Sequence, residues 1–277
     1  LGLSVVAVSL KNFAAAHFAT RARPAAIPAL PEWQGHRVEP VQATAEDGVV
    51  CRGWLVAPPG AEECVVLAAG IGGHRLGMLA RSAFWLRRGT ATLLVDLRGT
   101  GETAAPRLSM GYHEALDLAA WHTFARARGF RRIGVHGVSL GAAAAIYTAV
   151  RPAVAPAWAF AVLEASYVDI RSALSARLPW LPAVALWPMV ESAEWLLAVD
   201  ADELSPERAI RRLMAPTLLV VGDQDHKVGP DANARLRAAS GAALVREHVV
   251  PGAAHVDLWS RDATGIAAAI EALLRAR

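Results

Sequence analysis

The sequence predicts an α/β fold, a mostly parallel sheet flanked by helices. Short runs rich in branched apolar residues alternate with longer helical patterns, which is how βα units read. The 277 residues are 54% hydrophobic with a mean hydropathy of +0.31, enough to bury both faces of a large sheet. That length suits one large α/β domain.

The N-terminal stretch, LGLSVVAVSLKNFAAAHFATRARP, opens without Met. Its first ten residues are apolar, but a bilayer span needs about 20, and Lys11 and His17 interrupt the run. Two readings stand: the remnant of a signal peptide or membrane anchor, or an amphipathic helix packed on the domain. An apolar run that extends upstream would imply a membrane-anchored or exported protein and a chain that starts here a cytoplasmic one, so localisation stays open. Pro24, Pro28 and Pro31 then read as a stiff linker, so residues 1–35 are set apart from a domain over residues 36–277.

Eight strands follow. HRVEPVQAT and VVCRGWLVA flank Glu46-Asp47-Gly48, a hairpin turn. CVVLAAG is a buried strand ending in glycine, and a helix over residues 76–88 stops at Gly89. ATLLVD leads into the loop LRGTGETAAPR, and residues 110–128 carry a helical pattern that stops at Gly129. RIGVHGV is a strand and residues 140–150 a helix. WAFAVLEA, PTLLVVG and LVREHVV are the last strands, and residues 261–277 form a closing helix. Residues 167–204 break the alternation with Trp180, Trp187, Trp195 and three prolines, too long for an ordinary connection. They read as a helical cap over a site or as a decorated surface helix pair.

Charge excludes some functions. The net charge is +3 and the pI about 9.2, nearly all from Arg, with no basic block interleaved with aromatics, which argues against nucleic acid as a partner. Cys51 and Cys64 lack the spacing of a metal site, so no metal is expected. They are two free core thiols, or a disulfide if the chain is exported.

The chemistry concentrates in GVSLG, residues 137–141. A serine between glycines, where a strand hands over to a helix, fits a nucleophile elbow: the turn is sharp, and the glycines let strand and helix approach. The helix N-terminus beyond it offers free N–H groups to a developing oxyanion. Such a serine needs a base and an orienter, in the chain order Ser, acid, His. Asp223 and Asp225 follow PTLLVVG, and His255 follows LVREHVV, at strand C-terminal ends where open α/β sheets place their sites.

On these residues the chain, from about residue 36 to the end, resembles the α/β-hydrolase superfamily. GVSLG resembles its elbow, GDQD its acid loop, PGAAH its histidine loop, and DLRGTGET its Asp-x-Arg-Gly-x-Gly-x-Ser segment with Thr103 in place of serine. AAGIGGHR resembles the oxyanion loop, with Ala69 where His is common. The resemblance implies an eight-stranded sheet with a helical cap insertion. It implies Ser139 as nucleophile, His255 as general base and Asp225 as the acid, with Asp223 the fallback. The oxyanion hole would be the backbone N–H groups of Leu140 and Ile71. His74, Tyr167, Trp180, Trp187 and Trp195 are candidates for the substrate pocket. Among other polar residues, His136 reads as core, His226 as exposed, Asp96 and Arg98 as a structural network, and Glu164 as a core residue or a substrate contact.

The function expected is a serine hydrolase cleaving a carboxylic ester of a small to medium hydrophobic substrate through an acyl-enzyme, with no cofactor. A thioesterase or an amidase or peptidase would use the same residues. Haloalkane or epoxide chemistry is disfavoured, because those relatives carry Asp at the elbow. A non-catalytic ligand-binding member is the rival from another class.

Overall fold

The computed structural model describes residue 17 and residues 20–228, 231–255 and 258–276. The apolar N-terminal run, with both readings made of it, lies outside the described residues apart from His17 and Thr20. Among the described residues no helix is long and apolar enough to cross a membrane.

The strands are β1 (His36–Thr44), β2 (Val50–Val56), β3 (Glu63–Ala68), β4 (Ala91–Val95), β5 (Arg132–Val138), β6 (Ala161–Glu164), β7 (Thr217–Gly222) and β8 (Val245–Val250). They line up as β8-β7-β6-β5-β3-β4-β2-β1. β2 pairs antiparallel with β1 and with β4, and β3 to β8 pair parallel with one another in that order. A two-residue strand, Glu32–Trp33, pairs with the start of β1 and makes a ninth. It is too short to leave an alternation, which is why the sequence predicts eight.

The central strands read as continuous apolar runs because both faces are covered. In β3, Cys64, Val66 and Ala68 enter one core, and Val65 and Leu67 the other. The first core lies under α2 (Glu114–Ala127) and α3 (Leu140–Tyr147), the second under α1 (Leu79–Arg87) and α7 (Leu258–Arg275). Each fully buried Val or Leu stabilises by about 1.5–3 kcal/mol, so the sheet centre dominates stability. Cys51 and Cys64 are free and buried. β4 separates their strands, so they cannot meet.

Several boundaries differ from the sequence reading. α2 begins at Glu114 rather than at 110, because Met110 and Gly111 have φ of 57° and 100° and turn the chain sharply. The Glu114 carboxylate holds that turn by accepting from Ser109 N, Ser109 Oγ and Gly111 N. α3 ends at Tyr147, three residues early. α7 starts at Leu258 and breaks at Asp262, whose Oδ1 accepts from Gly265 N and restarts the helix.

Residues 167–204 form two helices, α4 (Ile170–Arg177) and α5 (Ala183–Leu197). Ile170, Val190, Leu197 and Leu204 build a small core of their own, which packs on Met110 and Tyr112. The proline-rich stretch lies along the domain. Arg23 N and Ala25 N donate to Gly99 O and Gly101 O, and Ile27, Leu30 and Trp33 pack on the second core.

Candidate active site

The site forms where the sheet changes direction. The chain runs from β3 to β4 on one side and then returns to add β5 on the other, so the C-terminal ends of β3 and β5 open a crevice between them. Ser139 follows β5 and caps α3 at φ 50° and ψ −106°, a conformation costing about 1–3 kcal/mol that persists only when its surroundings impose it. A Cβ on Gly137 would lie 2.3 Å from Gly141 O, and one on Gly141 2.4 Å from Ala68 O. Both positions therefore require glycine, which frames the serine.

Ser139 Oγ lies 2.9 Å from His255 Nε2, and His255 Nδ1 lies 2.8 Å from Asp225 Oδ2. A carboxylate only accepts, so Nδ1 carries the hydrogen and Nε2 presents its lone pair to the Ser139 hydroxyl. Asp225 is held in turn, because its Oδ1 accepts from Lys227 N at 3.0 Å. Asp225 and His255 are buried and Ser139 is half-buried. Asp223 points elsewhere: it is exposed, and its Oδ1 accepts from Gly252 N at 2.7 Å.

Leu140 is the first residue of α3, so its N–H has no acceptor within the helix. Gly73 N donates to Gly70 O at 2.9 Å, closing a turn over Ile71 and Gly72, with Gly72 at φ 75°. The Ile71 N–H takes no part in that bond. The loop sits on the serine, since a Cβ on Gly70 would stand 3.2 Å from Ser139 Cβ. Chemically the arrangement holds a hydroxyl, a proton acceptor aligned with it, a carboxylate orienting the acceptor, and amides beside the hydroxyl. Among the described residues no cluster of His, Cys, Asp or Glu forms a metal site.

A model of the prolyl oligopeptidase family matches residues 78–274, the greater part of the sequence. The chain belongs to the prolyl oligopeptidase family. It thereby sits in the α/β-hydrolase superfamily, as its motifs predict. Similar solved structures include the Pyrococcus furiosus esterase Pf2001, at 20% identity and a TM-score of 0.75 over 92% of this chain and 98% of the esterase. Est1E from Butyrivibrio proteoclasticus covers 85% of this chain and 97% of its own, at 15% identity and a TM-score of 0.62. An acylaminoacyl peptidase in complex with Z-Gly-Gly-Phe-chloromethyl ketone aligns with 80% of this chain over 38% of its own length, at 17% identity and a TM-score of 0.58. At such identities the likeness is one of fold. No curated protein matches the sequence.

In this prolyl oligopeptidase family member the other named residues are placed as follows. His74 is half-buried just after the turn over residues 70–73, and its Nδ1 has no hydrogen-bond partner among the described residues. Tyr167 is buried and donates from its hydroxyl to Met110 O at 2.7 Å, tying the start of the cap to the turn before α2. Trp180, Trp187 and Trp195 are 75%, 61% and 75% exposed. Trp187 borders a cavity of about 290 Å³ with Arg171 and Val190, within the cap and away from Ser139. His136 is buried and His226 exposed. Asp96 accepts from Arg75, and Asp117 from Arg98, which ties the loop after β4 to its surroundings. Glu164 is wholly buried and bonded to Arg81, which excludes it as a substrate contact. Arg81 has no local sequence signal: it lies on a helix whose other arginines, Arg87 and Arg88, lie at its far end, and only the fold brings it inward.

Proposed function

We propose that the protein is a serine hydrolase that cleaves a carboxylic ester of a small to medium hydrophobic substrate through an acyl-enzyme. The hydrogen-bonded run from Ser139 through His255 to Asp225, with Ser139 held in a left-handed turn at a helix N-terminus, carries this reading. Ser139 Oγ attacks the ester carbonyl while His255 Nε2 takes its proton. The Leu140 and Ile71 N–H groups receive the charge that develops on the carbonyl oxygen. His255 then returns the proton to the departing alcohol. Water attacks the acyl-enzyme with the same base, and the acid leaves. Asp225 keeps the imidazole in the right tautomer. This sequence of steps calls on no cofactor, and His74 is the side chain best placed to meet substrate beside the oxyanion loop.

A second reading keeps the residues and changes the bond to an amide. Membership of a family named for a peptidase favours it. One experiment separates the two. The protein is treated with a fluorophosphonate probe, then assayed with p-nitrophenyl esters of short and medium acyl chains and with aminoacyl p-nitroanilides, beside Ser139→Ala and His255→Ala. Labelling and ester turnover that both variants lose support the esterase. Higher kcat/KM on the anilides selects the peptidase. A folded wild type that neither labels nor hydrolyses any of them overturns both in favour of a ligand-binding protein.

A further inference from the structure

Beneath Ser139 lies a charged cluster that the chemistry above leaves unused. Glu164, the last residue of β6, is wholly buried. Its Oε1 accepts from Arg81 Nε at 2.8 Å and from His136 Nε2 at 2.6 Å, and its Oε2 accepts from Arg81 Nη2 at 2.5 Å. His136 Nδ1 accepts from the Trp85 indole N–H at 3.2 Å, so the imidazole hydrogen sits on Nε2 and points at Glu164. Burial works against ionisation of the carboxyl, but the Arg81 guanidinium and the His136 N–H outweigh it and pull its pKa down to about 2.

Its position distinguishes this cluster from an ordinary core ion pair. The Glu164 carbonyl accepts from Ser139 N at 2.7 Å, and Val138 stands opposite Glu164 in the parallel register. The next residues, Ser139 and Ala165, have φ of 50° and 51°, although neither is glycine. Two adjacent strands thus end in two strained turns, with the anchored Glu164 between them. The cluster also reaches the other parts of the site. Arg81 stands on α1, just beyond the Ile71 loop, and its guanidinium lies 5.3 Å from the centre of the Trp259 ring. Trp259 follows His255 by four residues, and its ring lies 5.9 Å from that of His136.

We propose that Arg81, Glu164 and His136 are the positioning residues of the nucleophile turn: they fix the Glu164 peptide, which holds the Ser139 N–H and keeps Oγ aimed at His255. The proposal rests on the serine hydrolase reading. All three side chains are buried, so they act through the serine and touch no substrate. Loosening the anchor lets Ser139 relax toward an ordinary φ and withdraws Oγ from Nε2, while the surfaces that bind substrate stay in place. Turnover therefore falls and KM does not.

The test measures kcat and KM for p-nitrophenyl butyrate, the rate of fluorophosphonate labelling, and Tm. It compares wild type with Glu164→Gln, His136→Leu, His136→Gln and Asp117→Asn. Asp117→Asn is the control, since it strips an equally buried carboxylate from Arg98, outside the Glu164 cluster. Glu164→Gln is expected to lower kcat and the labelling rate together by about tenfold or more, with KM within about twofold. His136→Leu lowers kcat in the same direction, and His136→Gln, which still donates to Glu164, restores it. Asp117→Asn shifts Tm and keeps kcat. If Glu164→Gln does not fold, the His136 pair decides alone, because it leaves the Arg81–Glu164 pair intact. Wild-type kcat in the folded Glu164→Gln or in His136→Leu overturns the proposal. So does a kcat that tracks Tm in every variant, Asp117→Asn included. A folded wild type that neither labels nor turns over overturns the serine hydrolase reading, and this one with it.

Discussion

Ser139 occupies a left-handed backbone angle that a serine adopts only under constraint, and the constraints are specific: the Glu164 carbonyl, and two glycines that leave no room for a Cβ. Removing its hydroxyl removes the atom that attacks in the proposed mechanism. Ser139→Ala is expected to lower kcat on p-nitrophenyl butyrate by about 10⁴-fold or more with Tm nearly unchanged, measured by initial rates and a thermal melt. The two aspartates after β7 make a sharper test. Asp225 meets His255, while the Asp223 carboxylate accepts from the Gly252 N–H. Asp225→Asn should lower kcat by about 10³–10⁴-fold, because the amide favours the wrong imidazole tautomer. Asp223→Asn keeps an oxygen for Gly252 N and should leave kcat within about threefold of wild type. Equal losses in the two variants would reject the assignment. At this scale the sequence was readable because the motifs are local. GVSLG, GDQD and PGAAH each lie within five residues, and the family resemblance that they carry names the three side chains that the fold brings together. Arg81 was unreadable for the opposite reason, since 83 residues separate it from Glu164.

Among the elements, strands were legible and the cap less so. A strand covered on both faces needs an apolar run, and all eight runs announce themselves. The cap helices answer to a different rule. In α5, Leu186, Val190, Ala193 and Leu197 are buried, Val190 and Leu197 in the small core, yet Val184, Trp187 and Trp195 on its other sides are exposed. With both sides apolar, the pattern cannot say which side is inward. Because their rings face solvent, Trp180→Ser and Trp187→Ser should each change stability by no more than about 0.5 kcal/mol, read from urea unfolding. KM for p-nitrophenyl butyrate should stay within about twofold, and a larger rise would bring those rings into the acyl pocket. The joint between cap and domain is tighter. Asp169 caps α4 by accepting from Ser172 N at 2.8 Å, and Arg235 of a helix beyond the Asp225 loop (Ala232–Ala239) donates to the same carboxylate at 3.2 Å. Asp169→Ala removes both bonds, a loss of about 1–2 kcal/mol in cap stability. Hydrogen exchange should then quicken in residues 170–197 while β3 and β5 stay protected. Uniform acceleration would mean that the cap and the sheet open as one unit.

Across the whole molecule, the ionic clusters under the strand ends make stability depend on acid in a definable way. The Glu164 carboxyl is held at about 2 in the fold against 4.5 unpaired, by Arg81 and His136 working against burial. A carboxyl depressed by folding contributes stability that is fully present above its unfolded value and is lost as pH falls toward its folded one. That contribution therefore fades between about pH 4.5 and 2. Asp117 has the opposite sign: burial, countered by Arg98, pushes it up to about 6 against 3.8, so its protonation favours the folded state as pH falls across that interval. The two effects occupy different windows. Between pH 6 and about 4.5 the gain from Asp117 is offset by His113, His122 and His136, whose imidazoles burial holds below their usual pKa so that acid favours the unfolded chain, and the urea midpoint should change little. Below about 4 Asp117 is already protonated, and the loss from Glu164 runs unopposed, joined by the depressed carboxyls of Glu39, Asp47 and Asp169. Urea unfolding of the wild type at half-unit steps from pH 6.5 to 2.5 should therefore show a plateau or shallow maximum near pH 5, then a steep fall. Asp117→Asn, which has no carboxyl to protonate, should decline more than wild type between pH 6 and 4.5 and keep the steep fall below. A midpoint with no steep fall below about pH 4.5 would mean that Glu164 is not held ionised by its partners, and that the charge beneath the serine is weaker than the geometry implies.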